Sequence, residues 1–419
     1  MNATPTTDAA AIGQPASANP GKPAQAPLTR FIVLLMAMAC GLAVASNYYV
    51  QPLLHTISVE FGLNTTQAGS LVTIAQLSYA GGLILLVPLG DLFERRALIC
   101  GMALLSAAGL LVIAFSPNIY ILYLGSAITG FFAVTAQVLV PFAATLAAPQ
   151  ERGKVVGIVM SGLLIGILLA RTIAGALAEF GSWRTVYWVA AILMTGMTVL
   201  LYRALPRYRV SANMSYLGLL RSVVSLFGEE PLFRARAFLS ALMFAIFSVF
   251  WTSMTFLLAS PPFGFSDGII GAFGLAGLAG AYAATRFGKL ADKGRANTST
   301  RIALLLMVLS WGVLALAPWS VSAMIVGIIV LDLAVQGVHI TNQSTIYRLR
   351  PEARSRLTSG YMTSCFLGGA FGSLVSAAAY AHWGWTGVVV TGTALSLIAA
   401  FYGIFTRRAR IPDNFMQAH

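Results

Sequence analysis

The chain has 419 residues, of which 58% are hydrophobic and only 9% are charged, and its mean hydropathy is +0.81. Soluble domains carry roughly 25% charged residues, so this composition excludes a soluble globular protein. The net charge of +13 could indicate nucleic-acid binding, but the cations follow the loops between apolar segments and form no continuous basic patch. We therefore expect a lipid bilayer as a partner and no nucleic acid.

Long apolar segments run through most of the chain. A hydrocarbon core of about 30 Å requires roughly 20 apolar residues per helix, and about twelve such segments fit between Thr29 and Thr406. The predicted spans cover approximately residues 29–53, 66–90, 97–115, 119–147, 155–179, 185–204, 232–259, 267–287, 301–317, 320–346, 357–381 and 386–406.

Two local features precede the main body of spans. Residues 1–28 are rich in Ala, Pro and Thr and lack an apolar signal-peptide core, which predicts a disordered cytoplasmic tail. At the start of the second span, Asn64 and Gln67 have the spacing of a helix capping box. The same segment is also a glycosylation sequon, so both interpretations are open.

Lysines and arginines alternate between connections. Of the 26, all except Arg171 and Arg184 lie in the tails or in every second connection. This asymmetry is typical of a chain that crosses a membrane an even number of times with its basic loops inside. It predicts a multi-pass protein of the inner (plasma) membrane with both termini in the cytoplasm.

The two halves of the chain share landmarks at a nearly constant offset. Asp91 and Asp292 are 201 positions apart. The pair Arg152 and Arg354 and the pair Trp183 and Trp385 are each separated by 202 positions. Parallel repeats of this kind predict two pseudo-symmetric six-helix bundles, that is, an all-α membrane protein with twelve transmembrane helices. The predicted bundles cover 29–204 and 232–406, joined by a cytoplasmic linker over 205–231 with a short amphipathic helix and followed by a tail over 407–419.

The repeated loops carry a recognisable motif. Residues 288–295, Gly-Lys-Leu-Ala-Asp-Lys-Gly-Arg, closely resemble the loop signature Gly-x-Leu-Ala-Asp-Arg-x-Gly-Arg of the major facilitator superfamily, shortened by one residue. Residues 89–96 resemble its first-half copy. The resemblance covers essentially the whole chain and implies alternating access, in which two bundles rock about a central site.

The charged residues of these loops suggest a gate. Carboxylates at helix ends can accept backbone N–H groups and pair with arginine. We interpret them either as a cytoplasmic latch that holds the outward-facing state or as residues with topological and capping roles only. They are Asp91, Arg95, Arg96, Asp292 and Arg295.

Shorter matches point to one branch of the superfamily. Residues 47–53, 168–172 and 331–337 are similar to those of bacterial sugar- or drug-efflux permeases. Proton–drug antiporters usually carry Gly-Pro-x-x-Gly-Gly in the fifth span, whereas residues 170–175 here read Ala-Arg-Thr-Ile-Ala-Gly. The chain departs from that antiporter pattern at Ala170, Arg171 and Ala174.

Two charged residues stand out because they lie deep inside predicted spans, far from either end. A charge at the bilayer centre costs roughly 3 kcal/mol, so such residues usually face a cavity or a partner. Counted from the outer ends of their spans, Arg171 and Asp332 lie roughly 14 and 18 Å deep. We hypothesise that they pair across the two halves, directly or through water, or that Asp332 carries protons. Alternatively, Arg171 snorkels or binds backbone carbonyls and Asp332 serves helix packing.

Polar and aromatic residues suggest a substrate cavity in the first, fourth, seventh and tenth spans, which line the cavity in this superfamily. In the tenth span, spacings of four, three and four place a polar stripe that begins at Asp332 on one helical face. Interhelical hydrogen bonds and packing are the alternative roles. The candidate cavity residues are Asn47, Tyr48, Tyr49, Gln51, Gln137, Trp251, Gln336, His339, Asn342 and Gln343.

Glycines at four-residue spacing suggest close helix contacts. Gly162 and Gly166 in the fifth span, and Gly368 and Gly372 in the eleventh, form small-xxx-small pairs, and glycines also punctuate the eighth span from Gly271. We expect these faces to lie where the two halves meet.

These features predict a secondary active transporter of a small organic solute that works by alternating access, with proton-coupled efflux. Proton-coupled uptake of a small organic acid or sugar is the alternative, and a non-transporting membrane sensor or scaffold is the rival from another class. The sequence has no Gly-x-x-x-x-Gly-Lys-[Ser/Thr] element and no His-rich cluster, so neither a primary pump nor an enzyme is expected. We expect no cofactor and no metal, a small-molecule substrate, protons as co-substrate, and a monomer.

Overall fold

The structure is a computed structural model that describes residues 28–148, 150–209, 215–277, 287, 296–347, 349–350 and 353–405. Regular secondary structure within these ranges is helical throughout. Ten of the described helices are long and apolar enough to cross a membrane. The last of them, Arg354–Phe405, is broken at Gly384, where φ is 58°, and comprises two crossings. The shorter apolar segment Asp267–Gly277 begins the eighth span.

The spans follow one another in two sets of six. The first bundle contains Arg30–Phe61, Thr65–Asp91, Arg95–Ala114, Ile119–Leu146, Arg152–Glu179 and Trp183–Ala204. The second contains Pro231–Ala259, the eighth span from Asp267, Ala296–Leu314, Val321–Ile346, and the two parts of Arg354–Phe405. This is the all-α architecture predicted from the sequence.

Polar side chains mark where several spans begin. Asn64 accepts a hydrogen bond from the backbone N–H of Gln67 at 2.8 Å, and the Gln67 side chain accepts from Asn64 N–H at 3.0 Å. This confirms the predicted capping box, which satisfies donors that the first helical turn leaves free. Asn118 and Ser320 cap the fourth and tenth spans more simply: each side chain accepts a hydrogen bond from one backbone N–H of the first helical turn.

The first span is interrupted at residues 46–49, between helices Arg30–Ala45 and Val50–Phe61. Pro52 explains the break, because proline has no N–H and its ring clashes with the carbonyl four residues earlier, here that of Tyr48. The chain makes tighter bonds instead: Tyr48 N–H donates to Ala45 O at 2.9 Å and Gln51 N–H to Tyr48 O at 3.2 Å. The fourth span is divided similarly into Ile119–Phe132 and Thr135–Leu146.

The glycine pairs join helices within each bundle, which differs from the prediction. A Cβ at Gly162 or Gly166 would overlap the backbone of the first span, and one at Gly368 or Gly372 would overlap that of the seventh. Of the three predicted glycine faces, the one that packs across the halves is that of the eighth span, where Gly271 and Gly274 lie against the fifth span around Arg171. Small residues indicate a close helix pair, but the sequence does not specify the partner.

A short helix, Tyr216–Glu229, lies within the predicted linker. It is amphipathic, with Leu219, Val223 and Leu226 buried, as predicted. This linker helix contacts both bundles: the Tyr216 hydroxyl donates to Leu85 O at 2.9 Å, and Arg350 Nη1 donates to Glu229 Oε2 at 2.8 Å. Hydrogen bonding to the Arg350 guanidinium lowers the pKa of the Glu229 carboxyl from its ordinary value.

Candidate functional site

A cavity of about 230 Å³ lies between the two bundles. We call the membrane side that bears Arg95, Arg96 and Arg350 the basic side, and the other side the opposite side. Arg171 and Asp332 line the inner end of the cavity. Its lining continues to Tyr347 and Ser355 near the basic side, where Ser355 is exposed. The cavity therefore opens toward the basic side.

Arg171 is buried at the inner end, with only 3% of its surface exposed. Its Nε donates to Gln51 Oε1 at 2.6 Å, and its Nη1 makes a long bond of 3.4 Å to Ile167 O in its own helix. Aromatic rings surround the guanidinium, with its central carbon 3.9 Å from the ring centre of Trp251 and 4.8 Å from that of Tyr48. Cation–π attraction and the bond to Gln51 offset part of the cost of burying this charge.

Asp332 contacts the same tryptophan at its edge. The Nε1–H of Trp251 donates to Asp332 Oδ1 at 3.3 Å, so this ring lies over Arg171 and bonds to Asp332. On the other side, a Cβ at Gly277 would lie 2.7 Å from Asp332 Oδ2, so glycine leaves room for the carboxylate.

The two charges come to one end of the cavity but are bridged by Trp251. Among the described residues, which include both, no direct ion pair joins Arg171 and Asp332. This differs from the direct form of the hypothesised pair. Position in the sequence indicates depth in the membrane but not direction around each helix axis, and a large indole between two charges leaves no periodic signal.

The candidate cavity residues divide into two groups. Side chains that line the cavity are Tyr48, Gln137, Gln336, His339 and Gln343, together with Arg171 and Asp332. The others lie outside the lining: Asn47, Tyr49, Gln51, Trp251 and Asn342 are all buried. Gln51 and Trp251 nevertheless contact the Arg171 guanidinium directly and so support the cavity from behind.

Asn342 and His339 have partners within the second bundle. Asn342 Oδ1 accepts from Arg236 Nη1 at 3.2 Å, which explains why this amide turns away from the cavity. His339 lies on the cavity wall with its Nδ1 3.2 Å from the Tyr361 hydroxyl. Asn47 has no hydrogen-bond partner among the described residues for either side-chain polar atom.

The first-half gate residues contact one another and their own bundle. Arg95 Nη2 lies 3.3 Å from Asp91 Oδ1, and Arg95 Nε donates to Gly90 O at 3.0 Å. Arg96 Nη1 donates to Tyr202 O at 3.3 Å. Asp292 and Arg295, the predicted second half of the gate, lie outside the described residues.

The opposite side is closed by contacts that the sequence did not indicate. Thr56 Oγ1 donates to Asp267 Oδ2 at 2.7 Å, linking the first and eighth spans. Glu179, at the end of the fifth span, accepts from Gly268 N–H at 3.2 Å and from the Ser266 hydroxyl. Below them, Thr172 Oγ1 donates to Gly271 O at 3.0 Å. We call these seven residues the opposite-side seal.

No group of three or more His, Cys, Asp or Glu side chains suited to a metal ion occurs among the residues that the structure describes. The three cysteines, Cys40, Cys100 and Cys365, are buried and free.

The family profile of the Major Facilitator Superfamily matches residues 35–349. The chain belongs to this superfamily. It is 57% identical over 371 residues to the "Uncharacterized transporter YgaY" of Escherichia coli O157:H7, covering 88% of this chain and 94% of that protein. It is 29% identical over 385 residues to the "Probable transporter SCO4007" of Streptomyces coelicolor, covering 92% of this chain and 88% of that protein.

Solved structures share the fold at low sequence identity. The crystal structure of a bacterial homologue of the human lysosomal transporter Spinster, in an inward-facing and occupied conformation, has a TM-score of 0.74 and 14% identity, covering 91% of this chain and 97% of that one. The nucleoside transporter NupG, as a D323A mutant, has a TM-score of 0.71 and 15% identity, covering 90% and 99%. The protein is thus a multi-pass membrane transporter of the superfamily, a class that binds small-molecule substrates.

Proposed function

We propose that this chain is a secondary active transporter that exports a small organic solute across the bacterial inner membrane, coupled to proton movement. In this proposal both termini and the basic side face the cytoplasm, following the positive-inside distribution of charge. The protein works as a monomer by alternating access.

The observation that carries the proposal is a buried carboxylate at the inner end of a cavity open on one side only. Asp332 lines the cavity and, among the described residues, accepts one hydrogen bond, from Trp251. A charged carboxylate in a membrane interior is energetically unfavourable. Asp332 can avoid this cost by taking up a proton from the cavity, and it can later release that proton. Because Arg171 nearby is cationic, gain or loss of a proton by Asp332 changes the net charge of these two side chains.

The gate is part of the same proposal. With the basic side open, Asp91, Arg95 and Arg96 bond within their own bundle. We propose that these residues, with Asp292 and Arg295, latch the two bundles together on the basic side when the cavity opens to the opposite side.

A thermal-shift screen of the purified protein against a solute library, followed by flux in proteoliposomes with an imposed pH gradient, tests this function. For a solute identified in this way, Asp332→Asn is expected to abolish gradient-driven accumulation, because asparagine cannot exchange a proton, while counterflow persists when the solute is supplied at a saturating concentration. Glu151→Gln, at an exposed position, is the matched control. Unchanged proton coupling in Asp332→Asn overturns the proposed role of Asp332. If the wild-type protein carries no flux of any solute tested, the alternative of a non-transporting sensor or scaffold is favoured.

A further inference from the structure

Arg171 and Asp332 are ionisable groups of opposite charge, both line one end of the cavity, and no direct ion pair joins these two described residues. Trp251 lies with its face on the Arg171 guanidinium and its Nε1–H on Asp332. Two opposite charges in a low-dielectric interior normally compensate each other by direct contact. Here each keeps binding capacity that the other does not use.

The unused capacity can be counted on each side chain. A guanidinium has five N–H donors. Arg171 uses Nε for Gln51 and one long bond from Nη1, and its buried Nη2 has no partner among the described residues. Asp332 uses Oδ1 for Trp251, and no described residue donates to its Oδ2. Within the described part of the chain, a cation with spare donors and an anion with a spare acceptor thus face one cavity.

The remaining lining indicates the body of the ligand. Aliphatic and aromatic side chains make up much of the wall, among them Leu83, Val140, Leu163, Phe244 and Phe366. The volume of about 230 Å³ is below the roughly 300–1,000 Å³ of sites for drug-sized ligands. A compact solute with an apolar body fits better than a large drug.

From this geometry we infer that the solute is a small organic zwitterion with an apolar body, whose carboxylate binds Arg171 and whose ammonium group binds Asp332. The inference rests on the proposed function and specifies its substrate class. A purely anionic solute would satisfy Arg171 but meet repulsion from Asp332, and a purely cationic one would meet the reverse. Only a ligand with both charges compensates both side chains.

The test uses two amino acids, L-phenylalanine and L-leucine, each in four charge forms on the same apolar body. The forms are the free amino acid, the N-acetyl derivative (anion), the amide (cation) and the N-acetyl amide (neutral). Binding to the purified full-length protein is measured by equilibrium dialysis. We expect at least one free amino acid to bind about 10-fold or more tightly than each of its own derivatives, because each loses a charge-assisted bond.

Two variants reverse the preference if the assignment is right. Arg171→Gln should favour the cationic amide over the free amino acid, and Asp332→Asn should favour the N-acetyl anion. Arg203→Gln and Glu151→Gln, at exposed positions, should keep the wild-type order. A preference that stays the same in Arg171→Gln and Asp332→Asn, both shown to be folded by circular dichroism, overturns the assignment.

Other outcomes also decide. If a derivative with one charge or none binds as tightly as its parent amino acid, or if no form of either amino acid binds, the inference is wrong while the proposed transport is unaffected. If the free amino acid binds selectively but no flux is found in proteoliposomes, transport fails and the zwitterion site stands.

Discussion

The two ends of the interface between the bundles are built differently. On the opposite side, short side chains and backbone atoms from the first, fifth and eighth spans interlock around Gly271 and Gly268. On the basic side the cavity separates the bundles, although Ser359 Oγ still donates to Leu83 O at 2.9 Å where the second and eleventh spans meet. Among the described residues, no ion pair joins the bundles within the opposite-side seal. Closure on that side therefore depends more on shape than on charge.

The largest effect is expected from a change of shape at Gly271. A Cβ there would overlap Arg171 O, so Gly271→Val should destabilise the sealed state by about 1–3 kcal/mol and open the opposite side. Spin labels attached to Tyr120→Cys and Trp319→Cys measure the distance between the two bundles by pulsed electron paramagnetic resonance. Both positions lie on that side and are 77% and 80% exposed. We expect longer distances to become populated.

Gly196→Val is the matched control, because a Cβ at Gly196 has no neighbour within 4 Å. An unchanged distance distribution in Gly271→Val would contradict the dependence on shape.

A smaller effect is expected at Glu179. Its carboxylate accepts from the Gly268 N–H in the first turn of the eighth span, and a negative charge at a helix N-terminus contributes about 0.3–1 kcal/mol at an exposed position. Glu179→Gln keeps an acceptor and should shift the same label distances only slightly, whereas Glu179→Ala should shift them further. A shift in Glu179→Gln as large as that in Gly271→Val would mean that charge, not shape, controls closure.

The smallest effect is expected on the basic side, at Arg350. This arginine bonds to Glu229 at an exposed position and to Glu230 at a partly buried one, and ion pairs near the protein surface contribute little. Arg350→Gln should leave the melting temperature and the label distances on the opposite side unchanged. A marked change in those distances would show that the contacts of the linker helix on the basic side influence the conformation of the opposite side.

The sequence predicted the helices better than their contacts. Periodicity and length indicated the spans, and the Asn64–Gln67 capping box was confirmed, because both depend on residues close in sequence. The superfamily was also predicted correctly from the loop signature and is confirmed by the profile match.

Contacts between distant residues were the part that the sequence could not provide. Thr56 and Asp267 are 211 positions apart, and Gly268 and Glu179 are 89 apart. Each lies near the end of a span, where a polar residue has little energetic cost and its presence therefore does not indicate a functional site. Inside the membrane, the cost of burying charge did single out Arg171 and Asp332. The role of Trp251 between them depends on helix rotation, which neither depth nor spacing determines.

The interruption at residues 46–49 gives the first span a joint. The segment after it carries Thr56 to Asp267 in the eighth span, whereas the segment before it packs by Gly41 against Gly162 and Gly166 of the fifth. Regular helical bonds are already absent at the joint, so changing the angle between the two segments requires rotation of a few backbone torsions and no melting of intact helix. The segment Val50–Phe61 can thus change its angle to Arg30–Ala45 while Arg30–Ala45 stays packed against the fifth span.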